Sequence, residues 1–392
     1  MKYKKRKDSK GRIFKPGESQ RKNGTYQFRY TDIYGKRQCL YAKTLDDLRE
    51  KEAEIEKSLN CGLDYSEGNI TLIELVERYF KIIGEIEYNT IICHNFVLNL
   101  IIKEEFCHRK IRDIKTSEAK AWFIKLHNDG YSRSTLCSIR GVIKPAFEMA
   151  VEDRINAYNP FSFPMKSLKI KDDSQKAIAM SDEEESKFME FLKSNKTYSK
   201  YYDECVILLE TGLRVSELYG LTIKDIDFIN GRISVDHQLL KKRNGEYAVT
   251  TPKTESGARY VPMSVEACLA FKRILANRNP PKAEKVVDGY AGFIFLDKNK
   301  NPKVALHLQH AMKRALDKYN NTHKVQLPKI TPHVFRHTFC TKMALNGMNI
   351  KSLQYIMGHS RIETTLNYYV HTDLEKATKA MGEIVKLVQK AV

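Results

Sequence analysis

Two periodicities follow one another along the chain. Tyr26-Gln27-Phe28-Arg29-Tyr30-Thr31 alternates aromatic with polar residues, 32–35 have turn chemistry, and 36–41 continue the pattern. Period two across a turn predicts a small antiparallel hairpin, with a further strand expected near 11–14. Thr44-Leu45-Asp46-Asp47 opens a helix to about residue 59, with Leu48, Ala53 and Ile55 available to cover the sheet. Residues 61–68 read as a polar linker. Beyond it the helical period takes over, with helices expected over 72–86, 89–103, 117–129 and 132–152. In the last of these Leu136, Ile139, Ile143, Phe147 and Ala150 form an apolar stripe, Arg133, Arg140 and Lys144 lie largely off it, and Pro145 is a kink point. Four helices of this length make a compact bundle.

Residues 159–180 carry Pro160, Pro164, Lys166, Lys169 and Lys171, which predicts an extended, charged spacer that does not pack. From Ser181 the pattern is mostly helical. An apolar helix over 203–211 ends at Gly212, and Leu213-Arg214-Val215-Ser216-Glu217-Leu218 begins the next, placing Arg214 at a helix start. Residues 233–240, Asn244-Gly245 and 247–250 read as a hairpin, followed by a loop carrying Lys253 and a third strand over 258–261. Thr331 caps a helix with Pro332 at its first position. Ile350, Leu353, Ile356 and Met357 mark a helix stopped by Gly358, so His359 falls just outside it. Ser360 and Glu363 have capping-box spacing for one more helix, with Tyr368 and Tyr369 at or past its end. A final stripe runs through Leu374, Ala377, Met381, Ile384 and Val388.

At 392 residues the chain is expected to form two or three domains. A mean hydropathy of -0.49, the lack of a membrane-length apolar run, and a start with no apolar segment behind its basic residues predict a soluble protein of the bacterial cytoplasm. Eight cysteines without a C-x-x-C pair read as free thiols, and the Cys93-His94 and Cys107-His108 pairs as packing rather than zinc ligands. The net charge of +19 points to a polyanionic partner, of which nucleic acid is the commonest. Residues 1–40 alone hold 13 Lys or Arg against Asp8, Glu18 and Asp32. A two- or three-stranded sheet plus one helix is too small for an enzyme, yet β-ribbons with cationic side chains fit the major groove.

His333 and Arg336, three apart, project from one face of a helix start, where free N–H groups and the helix dipole favour an anion. With His359 and a nearby phenol the group can bind a phosphodiester and present an oxygen nucleophile. Singly these residues are unremarkable: a lone helical histidine is usually structural, a turn lysine is usually solvated, and Tyr-Tyr is commonly core. Their conjunction carries the inference. No Gly-rich Lys-Ser/Thr loop and no convincing carboxylate cluster are present in the sequence, so neither ATP nor a metal cofactor is expected.

Arg214 in Thr-Gly-Leu-Arg-x-Ser-Glu, Lys253 in a hairpin loop, His333-x-x-Arg336, Gly358-His359-Ser360 and a tyrosine about ten residues later resemble, in order and spacing, the tyrosine recombinases or phage integrase family. The basic hairpin, Thr-Leu-Asn-Tyr-Tyr and Ile-Thr-Pro-His-x-x-Arg-His-Thr-Phe-Cys are similar to conjugative-transposon integrases. The resemblance implies a multidomain, mainly α fold: a small-sheet arm-site-binding domain over 1–60, a four-helix core-site-binding domain over 69–160, and a mostly helical catalytic domain with a small antiparallel sheet over 175–392.

The implied activity is site-specific recombination through a 3′-phosphotyrosyl intermediate, integrating and excising a mobile element. Arg214, Arg336 and His359 would stabilise the transition state, His333 act as base, Lys253 as acid and Tyr369 as nucleophile. Glu217 would orient His333 or Arg214. Tyr369 is preferred to Tyr368 because the family tyrosine usually precedes a small residue and His, as in Val370-His371. Implied partners are double-stranded DNA at core and arm sites, further copies forming a tetramer on DNA, and accessory excision and DNA-bending proteins. A type IB topoisomerase and a non-catalytic DNA-binding regulator are the alternatives.

Overall fold

The structure is a computed structural model, and it describes residues 6–65, 67–84, 86–170, 178–252 and 257–368. The chain divides into two compact units, Met1–Gln175 and Lys176–Val392.

In the first unit β1 (Glu18–Gln20), β2 (Tyr26–Thr31) and β3 (Arg37–Ala42) pair antiparallel in that order, with Tyr26 opposite both Gln20 and Ala42. The expected strand at 11–14 reduces to one bridge between Lys7 and Ile13. Asp8 prevents more, because its carboxylate accepts from the amides of Lys10 (2.9 Å) and Arg12 (2.7 Å) and bends the chain into a turn. α1 (Leu45–Asn60) starts where the Thr44 hydroxyl accepts from the Asp47 amide. Leu45, Leu48 and Ile55 are buried together with Tyr26 and Phe28 of the sheet. Ala53 is exposed, contrary to expectation, and Glu52 is buried instead. At 100° per residue 45, 48, 52 and 55 share a face and 53 does not.

Glu52 shares the interior with Glu18, which Arg49 holds at 3.0 Å. Burial and the neighbouring Glu18 carboxylate push Glu52 up to about 7 from 4.5. The folded unit thus binds this proton more tightly than the unfolded chain. Its contribution to stability is complete below about pH 4.5 and is lost as pH rises to about 7. Thermal unfolding of the full chain at pH 5.5 and 8 should show this loss, and Glu52→Gln should level it.

The polar segment after α1 is docked rather than free. Tyr65 is buried, the Arg112 guanidinium lies 4.6 Å from its ring centroid, and the Asp64 amide donates to the Arg154 carbonyl at 2.9 Å. α2 (Leu72–Ile82), α3 (Tyr88–Ile101), α4 (Thr116–Asn128) and α5 (Arg133–Glu152) enclose one core, with Leu136, Ile139, Ile143, Phe147 and Ala150 wholly inside it. α5 continues through Pro145. The expectation of an unpacked spacer after 159 fails over its first part. Phe161, Phe163 and Leu168 are buried among Trp122, Phe123 and Phe147, and Arg140 Nε donates to the Phe161 carbonyl at 3.1 Å. Two phenylalanines outweigh the prolines and lysines that made the segment look extended.

The second unit comprises α6 (Asp182–Ser194), α7 (Tyr202–Thr211), α8 (Val215–Gly220), β4 (Ile226–Asp227), β5 (Arg232–Val235), β6 (Gln238–Lys241), β7 (Tyr247–Thr250), β8 (Arg259–Pro262), α9 (Val265–Ala276), α10 (Ala305–Thr322), α11 (Pro332–Leu345), α12 (Ile350–Met357) and α13 (Ile362–Leu366). Phe188, Tyr219, Phe271, Phe293 and Phe335 are its largest fully buried side chains among the described residues. The single strand expected over 233–240 is two strands in two sheets: β5 lies between β4 and β8, while β6 pairs with β7 in a two-stranded sheet among the described residues. The break falls at Asp236-His237, where His237 turns inward and its Nε2 meets the Gly220 carbonyl at 2.7 Å. The strand over 259–262 accordingly pairs with β5 and not with β7. No helix among the described residues is long and apolar enough to cross a membrane.

Gly212 ends α7 at φ +65°, and a Cβ there would lie 2.4 Å from Phe339 and 3.1 Å from the Met357 sulfur. Gly212→Ala should cost about 2 kcal/mol or more, from the left-handed backbone and the overpacking together. Denaturant unfolding of the full chain measures it.

Candidate active site

The site is assembled around the first turn of α11. The Thr331 hydroxyl accepts from the Val334 amide at 3.3 Å, and Pro332 occupies the first helical position, so this helix starts where its sequence dictates. His333 is exposed on that turn and Arg336, three residues on, is buried. Arg336 Nη1 donates to the Gly212 carbonyl at 2.7 Å and Nη2 to the Met357 carbonyl. One guanidinium thereby ties the C-terminal ends of α7 and α12 together.

Arg214 sits at the cap of α8. Glu217 Oε2 accepts from its amide at 2.8 Å, Glu217 Oε1 accepts from Nη1 at 2.7 Å, and Nη2 reaches the Gly358 carbonyl at 3.3 Å. Of the two partners expected for Glu217, the structure supplies Arg214. Gly358 takes φ +61° and turns the chain so that His359 is buried. Its Nδ1 lies 3.0 Å from Thr365 Oγ1, and its carbonyl accepts from Gln354 Nε2 at 3.0 Å. The capping box expected from Ser360 and Glu363 does not form. α13 is capped at Arg361 without a side-chain bond, one residue later, because the His359 turn sets where the chain can re-enter a helix.

A cleft of about 960 Å³ is lined by Arg214, His333 and Arg336, with Lys313 and Lys329 on its walls. A second, of about 440 Å³, is lined by Arg214, Glu217, Gly358 and His359. Arg214 borders both. Burial works against ionisation of Glu217, but Arg259 and Arg214 override it and bring its carboxyl to about 2. Partial desolvation in the cleft, with Arg336 and Arg214, lowers His333, and burial with the same arginines brings His359 to about 4, so both surroundings favour the neutral imidazole. Burial and Arg214 lower Arg336 to about 10, which leaves it charged. Arg214, Arg259 and Arg336 thus crowd around one carboxylate, Glu217, and the surplus positive charge calls for an anion.

Tyr368 follows α13 half-buried, its ring 4.5 Å from that of His337 and 6.3 Å from that of His359. Burial pushes its phenol up, the wrong direction for a nucleophile. Lys253, Tyr369 and the apolar stripe at 374–388 lie outside the described residues. The structure brings Arg214, His333, Arg336 and His359 together from α8, α11 and the turn after α12. It also adds Arg259, which Glu217 engages at 2.9 Å. A signal for Arg259 existed in β8, where Arg259 and Val261 alternate with exposed residues: an arginine on the core-facing side of a strand needs a buried partner. Among the described residues Asp225, Asp236 and His237 have metal-ligand composition, but both ring nitrogens of His237 already have hydrogen-bonding partners, Asp236 and the Gly220 carbonyl.

Residues 179–376 match the model of the phage integrase family, and residues 2–59 match that of the DNA binding domain of Tn916 integrase. The transposase from transposon Tn1545 of Streptococcus agalactiae is 42% identical over 98% of this chain and 98% of its own. The transposase from Tn916 of Enterococcus faecalis is 41% identical with the same coverage. The solved Tn1549 transposon integrase in complex with a circular intermediate DNA superposes with a TM-score of 0.77 at 39% identity, covering 80% of this chain and 99% of that one. A λ integrase tetramer bound to a Holliday junction, at 18% identity and a TM-score of 0.53 over 89% and 97% of the two chains, shares the fold. With relatives this similar along nearly its whole length and a family match across the unit that holds the site, the chain belongs to the phage integrase family, as a tyrosine recombinase of the conjugative-transposon kind.

Proposed function

We propose that this recombinase cuts and rejoins duplex DNA at specific sites to integrate and excise a mobile element, using Arg214, Lys253, His333, Arg336, His359 and Tyr369. The observation that carries the assignment is the convergence of Arg214 with His333, Arg336 and His359, which lie 119 to 145 residues further along the chain, on clefts with a cationic surplus.

Attack on a phosphodiester adds charge to the nonbridging oxygens. Planar, permanently charged Arg214 and Arg336 suit those oxygens, with His359 as a further donor. His333, whose surroundings favour the neutral imidazole, is suited to accept the proton of the Tyr369 phenol. Tyr369 attacks phosphorus and forms a 3′-phosphotyrosyl ester, while the departing 5′ oxygen takes a proton from Lys253. The 5′-hydroxyl of another strand reverses the step, so the ester's bond energy is retained and no ATP is consumed. The raised pKa of half-buried Tyr368 favours its neighbour as nucleophile.

The partner is double-stranded DNA, in keeping with the DNA complexes of the Tn1549 integrase. The division of labour we assign is arm-site binding by 1–60, core-site binding by 69–160 and catalysis by 175–392, with a tetramer on DNA, excision and DNA-bending accessory proteins, and the bacterial cytoplasm as the setting. The match of 2–59 to the Tn916 integrase DNA binding domain supports the first assignment. If the stripe after Tyr369 joins protomers, truncation after His371 should impair assembly on paired sites in analytical ultracentrifugation, and unchanged assembly would remove that role.

The central test is a nicked suicide duplex carrying an end of the element. A protein-linked 3′ end with a free 5′-hydroxyl is the expected product, and strand cleavage without a covalent adduct would overturn the mechanism. Relaxation of supercoils on DNA lacking any site would favour the topoisomerase alternative.

A further inference from the structure

Arg259 is the most completely enclosed cation of the second unit's site, its side chain 0% exposed, and nothing in the reaction requires it to touch DNA. Four of its donor hydrogens are engaged within the protein. Nη1 and Nη2 grip Glu217 at 3.1 and 2.9 Å, Nη1 also reaches the Gly257 carbonyl at 3.0 Å, and Nε donates to the Ile356 carbonyl at 2.6 Å. Two of these partners, Glu217 and Ile356, adjoin groups that work on the phosphate. Glu217 Oε1 is the same oxygen that Arg214 Nη1 engages at 2.7 Å. Ile356 lies in the last turn of α12, directly before the Gly358 turn that delivers His359. The guanidinium also packs on that turn, since a Cβ on Gly358 would come within 2.9 Å of Nη1, and the Gly358 carbonyl is a ligand of Arg214.

We infer that Arg259 is a positioning residue that sets Arg214 and His359 in register with each other, by clamping Glu217 and the end of α12 with one planar fork. The inference rests on the catalytic roles proposed above for Arg214 and His359. Its physical basis is geometric: a guanidinium offers donors in a fixed plane to a carboxylate on one side and carbonyls on the other, and an ammonium cannot hold those directions at once. Misplacing a catalytic group by about 1 Å costs on the order of 100-fold in rate.

Two variants of the full chain separate positioning from mere stability. Arg259→Lys keeps the charge and loses the fork. Arg259→Met removes the guanidinium altogether and leaves Glu217 partnered by Arg214. Three quantities are measured in each: affinity for core-site DNA, the single-turnover rate of covalent-adduct formation at saturating protein, and hydrogen exchange of the Gly358 and His359 amides.

The expected result is affinity within about threefold of the parent, an adduct rate lower by on the order of 100-fold, and faster exchange at Gly358 and His359. Parental adduct rates with unchanged exchange in both variants would overturn the inference, as would a rate loss matched by an equal loss of DNA affinity. Should the parent itself form no adduct while exchange at Gly358 and His359 still rises in the variants, the clamp stands and the catalytic assignment falls.

Discussion

Replacing Tyr369 by phenylalanine is expected to abolish covalent-adduct formation on a suicide substrate, a loss on the order of 10⁵-fold or more, as when a covalent nucleophile is deleted. DNA binding should survive, because a phenol oxygen contributes little to phosphate contacts that rest on Lys and Arg. Tyr368→Phe is the informative companion. Its ring packs against His337, and the phenol is pushed up by burial, so removal of the hydroxyl should leave most of the adduct rate intact. An adduct that persists in Tyr369→Phe and vanishes in Tyr368→Phe would move the nucleophile by one residue.

The second large effect belongs to Arg336. Arg336→Lys should lower the single-turnover rate by roughly 10²–10³-fold, the range for losing one preorganised donor to a developing oxyanion. It should also destabilise the fold, because the Gly212 and Met357 carbonyls lose their shared guanidinium and a buried acceptor left unmatched costs about 1–3 kcal/mol. Arg214→Lys supplies the contrast. With its side chain 41% exposed and its backbone amide still held by Glu217, it should lose rate with little change in thermal unfolding. Parallel rate and melting measurements on the two variants check whether these similar charges do different work.

Local rules were enough to place α11, α12 and the Gly358 stop, because a Thr-Pro start, a 3.6-residue stripe and a glycine at positive φ act within a few residues of themselves. The candidate residues His333, Arg336 and His359 were legible on the same grounds, and Arg214 stood out through its helix-start motif. The alternation around Tyr26 and Phe28 was read correctly for β2 and β3. The strand near 11–14 was not, since Asp8 draws that segment into a turn through contacts that alternation does not encode.

Sequence patterning therefore settled β2, β3, α11, α12 and the chemical types available, down to the cationic surplus and the paired histidine and arginine on one helical turn. Tertiary structure alone decided which carbonyls Arg336 would bridge, that the strand after Ile233 would break at His237 and divide between two sheets, and that Arg259 would share Glu217 with Arg214. The reason is range. Turns, caps and stripes report energies that a few neighbouring residues determine, whereas a buried charge finds its partner only when segments tens to hundreds of residues apart are packed closely enough to exclude water.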